Sequence, residues 1–391
     1  MGETSCITLI KGNSMGTNLN FSKAEYDTRV RNVQSDMRSQ GLDALLAFEP
    51  ESITYLTGFL SPRGYNCFHF AIIPVDGDPV LFFRDLEAYH FQRSAAFERN
   101  FRWADGDDVD ALAVGAIKSI VGESPKVGIE KFAWQLNASR YERLTGLLPK
   151  TLAIIDAGNL VRKRRLIKSP AEIDYQRRAG RAAEAAMDAA RKVARAGERE
   201  RDIGAAVAAA MVVAGSDRAE PGPIASGEAA KSIHCMYTDR ILHAGDTVQL
   251  EMCPHVQNYH ARFMRPLKVG HATAAEKRLA DQLFKIQDRA LSEIAPGIGA
   301  TVPDQIYREG VVATGIVERY INKTFYSVGL MLYPNGAEYL EVTPKSTWSF
   351  QVGMTFHTYL VVDGFAVSET IAITATGYEK LTNYPRELIV S

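Results

Sequence analysis

The sequence has few cysteines, almost no net charge and no long apolar run. Its four cysteines have no paired CxxC spacing, which argues against a disulfide framework and a structural zinc site. Lys and Arg number 45 against 46 Asp and Glu, so the net charge of -1 gives no field that attracts nucleic acid or an anionic membrane. No stretch reaches the roughly 20 apolar residues that span a bilayer, and the N-terminus lacks the apolar core of a signal peptide. We therefore expect a cytoplasmic protein whose partners are small molecules or protein chains.

The first part of the 391-residue chain alternates helix-like and strand-like patterns. Residues 1–20 are interpreted as an N-terminal extension. The segment "FSKAEYDTRVRNVQSDMRSQG" predicts an amphipathic helix that ends at Gly41, and "ALLAF" predicts a strand after it. In "HFAIIPVDGDPVLFF", turn residues separate two further strand patterns, and "KVGIEKFAW" and "TLAIIDAG" are typical of buried strands. These patterns predict a smaller three-layer α/β domain over residues 21–163.

The composition changes after the basic stretch "VRKRRLIKSP". Ser169, Pro170 and Glu172 combine an N-cap, a proline at the first helical position and an acid placed to cap back, so they predict the start of a long alanine-rich helix. Strand chemistry follows in "GDTVQLEMCPHVQNYHARFMRPLKVG", another helix in "TAAEKRLADQLFKIQDRALSEI", and strands again in "KTFYSVGLMLYP", "GMTFHTYLVVDGFAVSETIAIT" and "RELIV". Helices on one face of an antiparallel sheet give an α+β domain over residues 164–391.

The order of these landmarks resembles the pita-bread fold of the creatinase, aminopeptidase P and methionine aminopeptidase superfamily, preceded by a creatinase N-terminal-like domain. Metal-binding members carry Asp, Asp, His, Glu and Glu on successive strands. The resemblance puts Glu251 and Arg262 at the two Asp positions, Tyr326 at the His position, and Tyr359 and Glu369 at the two Glu positions. A guanidinium and two neutral phenols do not supply the anionic ligands of a dinuclear transition-metal site. We therefore expect no metal and no other cofactor.

Glu251 is the strongest candidate for chemistry on residue type alone. Its neighbours in "VQLEMC" are apolar and would bury it, and buried carboxylates are uncommon unless they are paired or functional. Histidines on strands are more often structural, and the pattern "YHARFMR" could place His260 and Arg265 on an ordinary solvated face. Glu338 in "YPNGAEYLE" could likewise be a solvated loop acid. The interpretation as a site therefore rests first on Glu251.

Among metal-independent members of the superfamily, the sequence is most similar to ectoine hydrolase and less similar to creatinase. The similarity runs from about Phe21 to the C-terminus and is carried by "YSVGLMLYPNGAE", "GMTFH", "SETIAIT" and "YPRELIV". It implies hydrolysis of ectoine, a cyclic amidine carboxylate, to N-acetyl-diaminobutyrate. It also implies a catalytic histidine at His234 that shuttles protons, and a Glu251 that attacks the amidine carbon; general-base action of Glu251 on water is the open alternative.

A small zwitterionic substrate would pair its cation with the carboxylates of Glu251 and Glu369 and its anion with an arginine. By analogy with creatinase-like dimers, we expect a homodimer in which Arg63 and His69 reach the partner's site. The expected substrate-binding residues share a polar side chain near the catalytic pair and are Tyr259, His260, Arg262, Arg265, Tyr326, Glu338, His357, Tyr359, Glu369 and Arg63.

Three alternatives remain open at the level of sequence. The first is a creatinase-like amidinohydrolase for another guanidino or ureido compound. The second is an Xaa-Pro metallopeptidase, which stoichiometric metal and metal-dependent peptide cleavage would favour. The third is a catalytically inactive pita-bread protein that binds partners, which would be favoured if substitutions at Glu251 and His234 changed no property of the protein.

Overall fold

A computed structural model describes residues 7–11, 16–62, 67–122, 125–332 and 337–391. The chain divides into two compact units, Met1–Arg165 and Leu166–Ser391. Within the described residues, each helix is too short or too polar to cross a membrane.

The first unit contains seven strands and six helices among its described residues. The strands are β1 (Ile10–Lys11), β2 (Ala44–Ala47), β3 (Phe70–Pro74), β4 (Val80–Arg84), β5 (Arg99–Trp103), β6 (Lys126–Ile129) and β7 (Ala153–Asp156). The helices are α1 (Lys23–Ser39), α2 (Pro50–Thr57), α3 (Ala88–Ser94), α4 (Val109–Val121), α5 (Ala138–Leu147) and α6 (Leu160–Arg165).

The seven strands form one mixed sheet in the order β1-β5-β4-β3-β2-β6-β7. Strands β3 and β4 pair as the predicted antiparallel hairpin, with Gly77 at a φ of 94° in the turn. Leu46 and Phe70 pack with α4 and α5 on one face of the sheet, while Leu45 and Ile73 on the other face are also fully buried. Because both faces are covered, the predicted three-layer α/β arrangement is confirmed.

The second unit contains four helices and twelve strands among its described residues. The helices are α7 (Pro170–Val193), α8 (Glu200–Val213), α9 (Ala274–Ser292) and α10 (Thr301–Ala313). The strands are β8 (Ile224–Ser226), β9 (Thr247–Met252), β10 (His255–Val256), β11 (Tyr259–His260), β12 (Phe263–Met264), β13 (Leu267–Lys268), β14 (Phe325–Ser327), β15 (Glu341–Val342), β16 (Thr355–Val362), β17 (Phe365–Ile373), β18 (Tyr378–Lys380) and β19 (Ile389–Val390).

Ten of these strands form a largely antiparallel sheet whose main path is β15-β14-β16-β17-β12-β9-β13-β19, with β18 beside β17 and β8 beside β9. Helix α7 begins with the predicted capping box, in which Ser169 and Glu172 each accept a hydrogen bond from the other's backbone N–H. Helices α9 and α10 contribute to one apolar core with β16 and β17, and α7 and α8 to another with β8 and β9. The predicted α+β class is confirmed.

Strands β16 and β17 pair along their whole length, and their side chains alternate between the two faces of the sheet. Phe356 lies opposite Ile371 and Leu360 opposite Val367, and all four belong to the core that α9 and α10 cover. Residues between these positions project to the other face, because successive side chains on a strand alternate. The second face carries the candidate site.

Candidate active site

Strand alternation brings several of the expected site residues onto the face of the sheet away from α9 and α10. Glu251 on β9 pairs with Met264 on β12, Met264 pairs with Ser368 on β17, and Ser368 pairs with Tyr359 on β16. His357 shares this face with Tyr359 because it lies two residues earlier on β16. Four neighbouring strands therefore supply a continuous row of side chains.

This row borders a cavity of about 540 Å³ in the second unit. The side chains that line it include both expected catalytic residues, Glu251 and His234, and four of the expected substrate-binding residues. Apolar groups such as Ile233, Met236 and Met264 contribute the remaining wall. The four substrate-binding candidates at the cavity are Arg262, Tyr326, His357 and Tyr359.

The carboxylate of Glu251 is paired with Arg262 inside this cavity. Nη1 of Arg262 donates to Oε1 of Glu251 at 3.1 Å, and the two side chains are only 8% and 6% exposed. Burial lowers the pKa of Arg262, but interactions with Tyr326, Cys253 and Glu251 outweigh it and leave the pKa above its ordinary value. Arg262 therefore keeps its positive charge, and it fixes one oxygen of the carboxylate.

Arg262 is also connected to two buried aromatic groups. The same Nη1 donates to the hydroxyl of Tyr326 at 3.0 Å, and that hydroxyl lies 2.7 Å from Nδ1 of His357. Burial raises the pKa of Tyr326 well above its ordinary value and lowers the pKa of His357 well below its own. Both groups are consequently neutral near pH 7. Tyr359 stacks on His357, with ring centroids 5.4 Å apart.

His234 differs from these groups because it is exposed and comes from a turn rather than a strand. It lines the cavity together with Ile233 and Met236 on the segment before β9. An exposed imidazole can exchange protons with solvent, which suits the proton-shuttle role expected from the sequence.

Glu369 lies on the other face of the sheet, which corrects the expectation that it faces the substrate beside Glu251. It pairs with Thr358 on β16, one residue out of step with Tyr359 and Ser368. Its carboxylate accepts hydrogen bonds from Arg265 at 2.6 Å, Arg386 at 2.8 Å and Thr382 at 2.6 Å. Ser368, not Glu369, takes the position on the cavity face. Glu369 and Arg265 form a buried structural cluster on the helix side.

Three more of the expected substrate-binding residues are not among those that line the cavity. The hydroxyl of Tyr259 donates to Glu172 at 2.8 Å, and Nε2 of His260 lies 2.8 Å from the carbonyl oxygen of Met331. Glu338 forms a buried ion pair with Lys168 at 2.5 Å. Each of these side chains has a partner within the second unit. Arg63 lies outside the described residues.

His69, which we expected to reach a partner's site, is buried within the first unit. It packs edge to face against Phe59, with ring centroids 5.7 Å apart. Burial lowers its pKa to about 4, so it is neutral near pH 7.

The cavity also has lining residues that the sequence interpretation missed. Cys253 and Met264 follow Glu251 and Arg262 by two residues, so a strict period of two along those segments would have identified them. Glu220 and Lys323 come from segments outside the strands and carry no such signal. Burial and the nearby Glu251 carboxylate raise the pKa of Cys253, which keeps that thiol protonated.

The side chains in this cavity do not fit a dinuclear metal centre of the five-ligand type. The charged guanidinium of Arg262 lies at one ligand position and already binds Glu251. Tyr326 and Tyr359 at two others are protonated, since burial raises the pKa of both. A cation and two neutral phenols do not compensate the charge of two divalent ions. No cluster of three or more His, Cys, Asp or Glu side chains suited to a metal occurs in the described ranges.

Comparison with known families gives two adjoining matches. The sequence model of the Creatinase/Prolidase N-terminal domain matches residues 29–167, and that of metallopeptidase family M24 matches residues 174–375. The second match alone spans more than half of the chain.

Individual relatives match the chain over almost all of its length. The uncharacterized hydrolase/peptidase y4tM of Sinorhizobium fredii is 29% identical over 394 residues, covering 95% of this chain and 99% of its own. Ectoine hydrolase of Halomonas elongata is 24% identical over 412 residues, covering 95% and 98%. The crystal structure of dipeptidase PepE from Mycobacterium ulcerans superimposes with a TM-score of 0.79 at 22% identity, covering 95% and 99%, which establishes a shared fold.

Proposed function

The chain belongs to metallopeptidase family M24, a family of hydrolases, and on that premise we propose that it hydrolyses a C–N bond of a small cyclic amidine without a metal ion. Ectoine is the proposed substrate. The observation that carries this proposal is the Glu251–Arg262 pair, with its 3.1 Å hydrogen bond inside the cavity. A carboxylate with a guanidinium hydrogen bond on one oxygen can use its other oxygen for acid–base or nucleophilic chemistry, whereas a carboxylate that bridges two metal ions has both oxygens coordinated.

The charges around the cavity suit a zwitterion. Glu220 and Glu251 supply two carboxylates, and Arg262 and Lys323 supply two cations. An amidinium would pair with a carboxylate and a substrate carboxylate with a cation, because charge-assisted hydrogen bonds are the strongest that such groups form. Ile233, Met236 and Met264 would contact the carbon skeleton of the ring. Ectoine carries both charges on one small ring.

Two routes to hydrolysis use the same residues. In the first, a Glu251 oxygen attacks the amidine carbon, the ring C–N bond breaks as His234 protonates the leaving nitrogen, and water then cleaves the new C–O bond. In the second, Glu251 takes a proton from water, the hydroxide oxygen bonds to the amidine carbon, and His234 again protonates the leaving nitrogen. Both consume one water and yield an amide and an amine. For ectoine the product is N-acetyl-diaminobutyrate.

The proposal extends to a cytoplasmic homodimer. This part rests on analogy with creatinase-like dimers, and light scattering of the purified protein tests it. A mass of two chains is the expected result, and a mass of one chain contradicts it.

Product analysis by mass spectrometry tests the activity. The purified protein is incubated separately with ectoine, hydroxyectoine, creatine and an Xaa-Pro dipeptide, with Glu251→Gln as the matched control. N-acetyl-diaminobutyrate from ectoine, formed by the wild type and not by the variant, is the expected result. Creatine turnover would instead support an amidinohydrolase, and dipeptide cleavage a peptidase. The absence of turnover in every reaction would favour a binding protein.

A further inference from the structure

The buried polar groups beside Glu251 form a chain of hydrogen bonds in which each group donates to the next. Arg262 has only protons to donate, so the Tyr326 oxygen accepts from it at 3.0 Å. The hydroxyl proton of Tyr326 then has Nδ1 of His357, 2.7 Å away, as its acceptor. The opposite arrangement, with the proton on Nδ1, would leave the tyrosine hydroxyl proton without an acceptor among its contacts in the described structure.

This proton arrangement fixes the tautomer of His357. A neutral imidazole carries one proton, and if Nδ1 accepts from Tyr326, that proton is on Nε2. Nε2 is buried and has no hydrogen-bond partner among the described residues. A buried donor without a partner loses its hydration and gains no hydrogen bond in return, so such a donor on an imidazole that lines the cavity points to a ligand that satisfies it.

We propose that the Nε2–H of His357 binds an oxygen of the substrate and that Arg262 and Tyr326 position and polarise this donor. This inference rests on the proposed function and adds a specificity-determining residue to it. Each hydrogen bond in such a chain polarises the next, so the guanidinium of Arg262 makes the neutral Nε2–H of His357 a stronger donor. Arg262 thus serves Glu251 and His357 through one nitrogen, Nη1.

The chemical class of the acceptor is an oxygen that carries negative charge. It has two sources in the proposed reaction: the substrate carboxylate, present from binding onward, and the water-derived oxygen on the tetrahedral carbon, which turns negative as its hydroxyl proton leaves and the amide carbonyl forms. A positively charged amidinium nitrogen cannot accept from Nε2–H. The donor therefore orients the substrate with its cation toward a carboxylate of the cavity, such as Glu251.

Nitrogen-15 NMR of histidine-labelled protein at pH 7 tests the chain directly, with His357→Asn to assign the signal. The wild type should show a proton on Nε2 and none on Nδ1. Tyr326→Phe should lose this fixed tautomer, whereas Tyr359→Phe, which removes a hydroxyl from a ring stacked on the same imidazole, should keep it. Formate, the smallest carboxylate, should shift the Nε2 signal in the wild type. A proton on Nδ1, an imidazolium, or a signal that formate does not move would overturn the inference.

Kinetics of His357→Asn with ectoine then separate the two acceptors. A KM raised about 10- to 100-fold with kcat retained identifies the substrate carboxylate, and a kcat lowered by the same factor with KM retained identifies the developing oxyanion. Unchanged kcat and KM would contradict any substrate contact. If ectoine is not hydrolysed at all, the proposed function fails, while the NMR measurements still decide whether His357 is an open donor.

Discussion

Nη1 of Arg262 donates to Oε1 of Glu251 across 3.1 Å, from the residue just before β12, the strand that pairs with the one carrying the carboxylate. The two residues are eleven positions apart in the chain and lie where the superfamily resemblance places two metal-binding aspartates. Because the pair is buried, each charge depends on the other for compensation. The same contact that opposes a metal centre therefore also compensates two buried charges.

Removing only the guanidinium should destabilise the protein strongly. In Arg262→Met the Glu251 carboxylate loses its partner in a site that is 6% exposed, and breaking such pairs costs about 3–5 kcal/mol. Chemical denaturation measures the free energy of unfolding. The double variant Arg262→Met with Glu251→Gln should recover much of the loss, because it leaves no uncompensated charge. If the double variant instead lost as much free energy of unfolding as the two single variants added together, the pair would not be coupled.

Glu369 should prove to be structural. Glu369→Gln leaves Arg265, which is fully buried, without its main counter-charge, and we expect a loss of about 3–5 kcal/mol in the free energy of unfolding. KM for ectoine should stay unchanged in the folded variant, since Glu369 faces away from the cavity. The control is Glu379→Gln, whose half-exposed pair with Arg177 should contribute at most about 1 kcal/mol. A raised KM with unchanged stability would instead indicate that Glu369 binds the substrate.

The buried carboxyl group of Glu130 in the first unit should make the free energy of unfolding depend on pH. Burial and the neighbouring charge of Glu49 raise the pKa of Glu130 from 4.5 to about 8. Between pH 4.5 and about pH 8, the folded protein therefore keeps the proton on Glu130, whereas the unfolded chain releases it. The resulting stabilisation is complete below about pH 4.5 and is lost as the pH rises through about 8.

Glu130→Gln keeps a carbonyl oxygen to accept the backbone N–H groups of Phe48 and Glu49 but cannot ionise. Denaturation near pH 5 and near pH 8.5 should show similar stability for the two proteins at the lower pH, and a more stable variant at the higher pH. Glu142→Gln, at an exposed position on α5, is the control. Parallel pH profiles for wild type and Glu130→Gln would contradict the raised pKa.

The catalytic role of His234 should be separable from the stability of the protein. His234→Ala should lower kcat for ectoine by about 10²- to 10⁴-fold, the usual contribution of a positioned acid or base, with little effect on unfolding because the side chain is exposed. His243→Ala removes another exposed histidine, one that does not line the cavity, and should leave kcat unchanged. Equal activities of the two variants would remove His234 from the mechanism.

Local sequence chemistry predicted much of this architecture. The capping box at Ser169, the turn around Gly77 and the alternation of helix and strand segments are properties of neighbouring residues, so they could be identified without the fold. The burial of Glu251 also followed from its apolar neighbours. Helix α10 has no clear signal in the sequence, since its N-cap Ala300 offers no side-chain acceptor and Gly310 lies within the helix.

Features that depend on strand register were less accessible. A shift of one residue decides whether Ser368 or Glu369 faces the cavity, and only the pairing of β16 with β17 fixes it. The partner of Arg262 was likewise hidden, because the contact depends on the register in which β12, the strand that follows Arg262, pairs with β9. The polar side chains of His260, Tyr259 and Glu338 are of types common in binding sites. Their partners come from distant segments of the second unit, so the sequence alone did not show that they are already paired.

The most direct test of metal-independent hydrolysis is the rate of ectoine hydrolysis by wild-type protein after exhaustive treatment with a chelator, compared with the same protein given manganese, zinc or cobalt. Metal-independent hydrolysis predicts an undiminished rate of N-acetyl-diaminobutyrate formation without metal and no gain when a metal is added. It would be contradicted by loss of hydrolysis on chelation that a stoichiometric metal restores, or by metal-dependent Xaa-Pro cleavage with ectoine untouched.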